Sequence, residues 1–170
     1  HSEALKKAGI RSSEVRTADD IRSISALIIP GGESTTMGKL LTKNNLIDLL
    51  KERIQSGMPV FGTCAGMILL AKSAGEKEQP LLNVMDISVE RNAYGRQIDS
   101  FEAELKIKGI GNDPFQAIFI RAPKITAISE DVDVLASFQN VPVLVRQKNI
   151  LAASFHPELT NDSRIHSYFI

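Results

Sequence analysis

The stretch Met58-Pro59-Val60-Phe61-Gly62-Thr63-Cys64-Ala65-Gly66 constrains the fold more than any other part of the chain. Met58 to Phe61 is a short apolar run, which predicts a buried strand. Met67 to Ala74 is apolar almost all round, which predicts a buried helix stopped by Gly75. Between them, Gly62 and Gly66 flank the only cysteine of the chain, two residues away on either side. This G-x-C-x-G pattern is the thiol counterpart of the G-x-S-x-G elbow, in which a sharp strand-to-helix turn exposes a nucleophile. Glycine suits the flanks because the turn strains its central residue and leaves no room for larger neighbours. Amides at the start of the helix would also favour thiolate over thiol. The bland reading is that free cysteines are among the most buried residues and most are inert. The elbow alone leaves both open.

The flanking segments extend the strand-helix rhythm. His1 to Ala8 reads as a helix, with Ala4, Leu5 and Ala8 on one side and Gly9 as terminator. Ser13 to Arg16 reads as a short strand, followed by a turn beginning at Asp19-Asp20-Ile21. Ser25 to Ile29 is continuously apolar and ends at Pro30-Gly31-Gly32, as expected for a parallel strand covered on both faces. Leu46 to Gln55 reads as a helix. Strands and helices in alternation predict an α/β fold with a doubly wound parallel sheet. In the second half, short strands are expected at 87–90, 102–107, 117–120, 132–138, 141–146 and 150–155. Their density predicts an antiparallel extension, and 162–170 a closing helix with Ile165, Tyr168 and Phe169 on its apolar side.

Residues 1–170 are expected to form a single domain without an internal linker. The chain opens without Met and in mid-helix, so a preceding strand and loop of roughly 10 to 15 residues is expected. Twenty basic residues balance twenty acidic ones, so no net field points to nucleic acid or an anionic membrane. No apolar run approaches the ~20 residues that span a bilayer. A single cysteine forms no internal disulfide, which suits the cytoplasm. With one Cys and scattered His, no metal-ligand cluster is expected.

Two further segments can complete a site around Cys64. Phe155-His156-Pro157-Glu158 follows a predicted strand, whereas His1 is terminal and His166 falls in the polar part of the last helix. In extended chain, residues i and i+2 point the same way, so Glu158 could hold one ring nitrogen of His156 while the other faces a nucleophile. Pro30 to Thr36 is the second segment. It fails as a phosphate loop, because Gly32 and Gly38 are separated by five residues and Leu40 stands where Ser or Thr is required. Gly31-Gly32 can instead expose backbone amides to an oxyanion, or simply end a strand.

Taken in order, Pro30-Gly31-Gly32-Glu33-Ser34, Gly62-Thr63-Cys64-Ala65-Gly66 and His156-Pro157-Glu158 resemble the class I, triad-type glutamine amidotransferases. Within them the chain is similar to the glutaminase subunits of pyridoxal 5′-phosphate synthases. That narrower resemblance rests on Gly32 to Thr36, on Val89 to Gln97 with Ser100-Phe101-Glu102, and on Phe119 to Pro123. It spans nearly the whole chain and implies a flavodoxin-like three-layer sandwich with a mostly parallel central sheet. The strand expected ahead of residue 1 would be central in that order, and its absence would leave a gap between its neighbours.

The resemblance implies glutamine hydrolysis through a γ-glutamyl thioester, with Cys64 as nucleophile, His156 as base and Glu158 as its orienting group. Backbone N–H groups of Gly32 and Ala65 would form the oxyanion hole. Glutamine would be held by Gly32, Glu33, Ser34, Arg91, Ile120 and Arg121; its two charges want both a carboxylate and a guanidinium. The implied partner is a (β/α)8-barrel synthase that takes the ammonia into pyridoxal 5′-phosphate, with no cofactor in the glutaminase itself. Two other readings are another Cys-elbow α/β hydrolase and a non-catalytic amidotransferase-like binding module. The first would need neither His-Pro-Glu nor the Arg91 to Gln97 block, and the presence of all three triad residue types argues against the second.

Overall fold

The computed structural model describes residues 1–75, 79–91 and 100–170. Asn92 to Gln97, part of the distinctive block, lie outside the described residues. The first half contains α1 (Ser2–Lys7), α2 (Ala18–Ser23), β1 (Leu27–Ile29), α3 (Ser34–Lys43), α4 (Ile47–Gln55), β2 (Val60–Thr63) and α5 (Ala65–Leu70). The second is strand-rich: β3 (Ala71–Ala74), β4 (Met85–Glu90), β5 (Ser100–Leu105), β6 (Phe115–Ile120), β7 (Lys124–Ile128), β8 (Asp133–Phe138), β9 (Val141–Gln147) and β10 (Ile150–Ala153). A 3-10 turn at Pro157–Leu159 and α6 (Arg164–Phe169) close the chain.

The main sheet has the order β1-β2-β10-β9-β8. β1, β2 and β10 run parallel, while β9 and β8 add antiparallel strands beside them. This is the expected α/β architecture. Smaller sheets, β3-β4-β7 and β5-β6, flank it. Strand alternation builds two cores. Val60, Ile150 and Ala152 join one apolar cluster with Leu50, Ile54 and Met67. Phe61, Leu151 and Ala153 join the other with Phe115, Phe119 and Phe155. Successive side chains of a strand point to opposite faces, so the parallel strands are covered on both. Among the described residues no helix is long and apolar enough to cross a membrane.

Several local expectations are corrected. β1 stands at the edge of the main sheet, and β1, β2 and β10 are bonded neighbours in continuous register, Ile28 and Leu151 both pairing with Phe61. Residues 13–16 form no strand, because the amides of Arg16 and Thr17 donate to the Asp20 carboxylate at 2.9 and 2.8 Å. That carboxylate and the Thr17 hydroxyl make a capping box, which turns the predicted turn into α2. The loop after Gly32 becomes helical at once as α3, because the Glu33 carboxylate accepts from the amides of Thr35 and Thr36. The helix after Cys64 ends at Leu70 rather than Ala74, since Ala71 turns extended and β3 pairs parallel with β4. An additional strand, β7, pairs with β4 after Pro123.

Candidate active site

β2 delivers Cys64 to the end of the parallel sheet. Its amide donates to Ala153 O of β10 at 2.8 Å, and the next residue begins α5. The turn forces Cys64 to φ 51° and ψ −105°, a conformation L-residues rarely adopt. The flanking glycines are required by space. A Cβ on Gly62 would lie 2.6 Å from the Gly66 carbonyl carbon, and one on Gly66 only 2.0 Å from Ile29 O. Helix α5 can therefore rest on β1 and β2 only with glycine at both positions. Cys64 is buried, 9% exposed.

The Cys64 sulfur lies 3.9 Å from Ile120 O at the end of β6. β6 also accepts the His156 amide at Ile118 O, at 2.8 Å, which fixes the segment after β10 against it. His156 Nδ1 bonds Glu158 Oε1 at 2.8 Å. The geometry behind that bond differs from the expected extended chain: Pro157 opens a 3-10 turn that folds the carboxylate back onto the ring. With Nδ1 engaged, Nε2 is the nitrogen left for exchange with a thiol. His156 is pushed up to about 9, first by the Cys64 sulfur and then by the Glu158 carboxylate, against the opposing effect of burial. The site is built to keep a proton on or near the imidazole.

The Pro30-Gly31-Gly32 loop closes this group from β1. Gly31, which in the sequence is only half of a glycine pair, is the closer neighbour. A Cβ there would lie 2.5 Å from His156 Cε1 and 3.6 Å from Cys64 Cβ. Gly32 is needed for its backbone instead, at φ 148°. Ala65 is the first residue of α5, where N–H groups have no acceptor within the helix.

The remaining predicted residues form a second group. Arg91 Nη2 pairs with Glu33 Oε1 at 3.0 Å, and Nη1 donates to Thr35 Oγ1 at 3.0 Å and Gln79 Oε1 at 3.2 Å. Ser34, buried at the start of α3, donates to the same Gln79 oxygen at 3.2 Å. Glu33 is held down to about 2 by the Thr36 hydroxyl and the amides of Thr36 and Thr35, so it stays a carboxylate. Gln79 has no signal in the sequence; it ties Ser34, Thr35 and Arg91 together from a distant loop. Ile120 brings its carbonyl to Cys64, while Arg121 follows it at φ 42° with an exposed side chain. His166 is fully buried rather than in a polar face, and His1 contacts the site through Glu158.

A thiol beside a carboxylate-held imidazole is the pair needed for acyl transfer through a covalent intermediate. Comparison with known proteins points the same way. The sequence pattern of the SNO glutamine amidotransferase family matches residues 1–170. A protein of Pelotomaculum thermopropionicum named pyridoxal 5′-phosphate synthase subunit PdxT is 55% identical over 170 residues, covering all of this chain and 87% of the relative. The protein of that name from Carboxydothermus hydrogenoformans is 52% identical over 170 residues, covering all of this chain and 89% of the relative. A crystal structure described as a glutamine amidotransferase superposes with TM-score 0.95 at 50% identity, over 99% of this chain and 89% of the other. A glutamine amidotransferase from Thermotoga maritima shares the fold alone, with TM-score 0.60 at 13% identity over 98% and 74% of the two chains.

Proposed function

Because the chain belongs to the SNO glutamine amidotransferase family, we propose that it hydrolyses L-glutamine to L-glutamate and ammonia as the glutaminase subunit of a pyridoxal 5′-phosphate synthase. The observation that carries this reading is Cys64 on a strained strand-to-helix turn beside a His156 ring held by Glu158. The Cys64 sulfur attacks the side-chain amide carbon of glutamine while its proton passes to His156 Nε2. Backbone amides of Gly32 and Ala65 take the charge that develops on the amide oxygen. As the C–N bond breaks, His156 returns the proton to the departing nitrogen and ammonia leaves. Water then adds to the γ-glutamyl thioester with His156 as base, and C–S cleavage yields glutamate and free thiol.

Substrate binding is assigned to Gly32, Glu33, Ser34, Arg91, Ile120 and Arg121. The paired charges of Glu33 and Arg91 match the α-ammonium and α-carboxylate of glutamine. Ammonia released into bulk water would mostly become ammonium, which is not nucleophilic, so protected transfer to a docked synthase is expected; by the family resemblance that partner is a (β/α)8-barrel. The test supplies the synthase with either glutamine or an ammonium salt and measures pyridoxal 5′-phosphate. The wild-type pair is expected to work with both; with Cys64→Ala only the ammonium salt should support product. Product from glutamine in that variant would overturn the assignment.

A further inference from the structure

Glu158 has two carboxylate oxygens, and the triad uses one. Oε2 is buried and has no conventional hydrogen bond among the described residues. The group facing it is His1 Nε2, at 3.4 Å. The same nitrogen lies 3.1 Å from Thr63 Oγ1, on the residue preceding Cys64. On the other side of the ring, His1 Nδ1 lies 3.0 Å from Nε2 of the fully buried His166. Phe61 packs edge-on against both imidazoles, with centroids 6.2 Å from each, which fixes their planes. His1 and His156 thus meet through one carboxylate and His166 joins them through His1, although the three histidines come from the start of α1, from the turn after β10 and from α6.

The tautomers follow from satisfying these atoms. His166 Nδ1 has no partner among the described residues, and burial pushes His166 below the ordinary histidine value, so the ring is neutral near pH 7. If its proton sat on Nδ1, a buried N–H would be orphaned and His1 would have to donate to His166 Nε2. A neutral His1 would then turn a lone pair toward the Glu158 carboxylate. Both results are unfavourable. With the proton on His166 Nε2, that nitrogen donates to His1 Nδ1, and His1 Nε2–H is free to donate toward Glu158 Oε2 and Thr63 Oγ1. Only a bare lone pair is left unpaired.

We propose that His1 is a positioning residue: its Nε2–H, set by His166, holds the second oxygen of Glu158 so that the first stays on His156. The inference rests on the triad reading above. The titratable groups facing this chain of contacts are Cys64, His156, Glu158, His1 with its α-amino group, and His166, which that amino group also holds down; Glu3, Lys7 and Asp162 line a cavity of about 230 Å³ beside Glu158.

Two polar variants of similar cost to the fold separate positioning from simple filling. In His1→Gln the side-chain amide can overlay Nε2 and still donate; in His1→Asn it overlays Nδ1 and cannot reach. Each is assayed with the synthase, beside wild type and Cys64→Ala, for glutamate release across pH. His1→Asn is expected to lose about 10-fold in kcat with KM for glutamine unchanged. Its alkaline limb should move to lower pH, because Glu158 then supports the His156 proton less firmly. His1→Gln should recover most of kcat and the wild-type limb. Equal behaviour of the two variants, or a loss confined to KM, would overturn the proposal while an inactive Cys64→Ala left the triad standing. An active Cys64→Ala would remove the triad and this inference together.

Discussion

Glu158 Oε1 lies 2.8 Å from His156 Nδ1 across a single intervening proline. The Pro157–Leu159 turn makes this a local pair, formed by residues that cannot drift apart once β10 is in place. The bond leaves Nε2 for the Cys64 thiol, and the two partners together raise the affinity of His156 for its proton. The form that turns over is the one carrying that proton.

The alkaline limb of kcat for glutamine hydrolysis should therefore fall near pH 9, where His156 loses its proton. Glu158→Gln removes the second cause of the shift and should move the limb toward neutrality while kcat drops. The sign for stability is the same. His156 binds its proton more tightly folded than unfolded, so its contribution is complete below about 6.5 and is lost as pH rises through about 9. Paired pH–rate profiles of the two proteins check the limb.

Gly66→Ala and Gly31→Ala should fail differently. A Cβ on Gly66 would meet Ile29 O at 2.0 Å, backbone that cannot yield without shifting α5 off β1. We expect a loss of about 3 kcal/mol or more in unfolding free energy. A Cβ on Gly31 meets the imidazole of His156 at 2.5 Å, a side chain that can turn away. That variant should stay folded and lose kcat. Urea unfolding and glutamate release, measured on both, separate the two outcomes.

The strain at Cys64 makes a prediction that runs against ordinary propensities. Alanine at φ 51° keeps the strain, whereas glycine removes it. Both Cys64→Ala and Cys64→Gly should be inactive, but the glycine variant should be the more stable by about 1 kcal/mol. Thermal unfolding of the two decides it.

Arg91 is held by Glu33, Thr35 and Gln79 rather than waving in solvent. Arg91→Ala should raise KM for glutamine about 10- to 100-fold, the value of charge-assisted hydrogen bonds to a carboxylate, with kcat changed much less. Because Glu33 titrates only at about 2, KM should not vary with its ionisation across the neutral range. Steady-state kinetics across that range tests both statements.

What the sequence made legible was what is local. Gly62 and Gly66 announce the elbow because their contacts lie within the turn and the strand beside it. His156 and Glu158 stand two residues apart, so their pairing is readable even though the backbone between them is a 3-10 turn rather than a strand. The α/β alternation shows in β1 and β2, whose continuous apolarity reflects cover on both faces. Contacts closed by the tertiary fold leave no such trace. Gln79 meets Ser34 and Arg91 from a separate loop, and His1 reaches His166 from the other end of the chain. The start of α3 is hidden for another reason: Ser34-Thr35-Thr36 has turn-like composition, and only the Glu33 cap makes it helical.

The central claim is that Cys64 carries the γ-glutamyl group. Rapid quenching of the protein with its synthase and glutamine, followed by peptide mass spectrometry, tests it directly. One γ-glutamyl group on the Cys64 peptide, absent in Cys64→Ala together with glutamate release, is the predicted result. A γ-glutamyl group on another residue, or sustained glutamate release by Cys64→Ala, would contradict it.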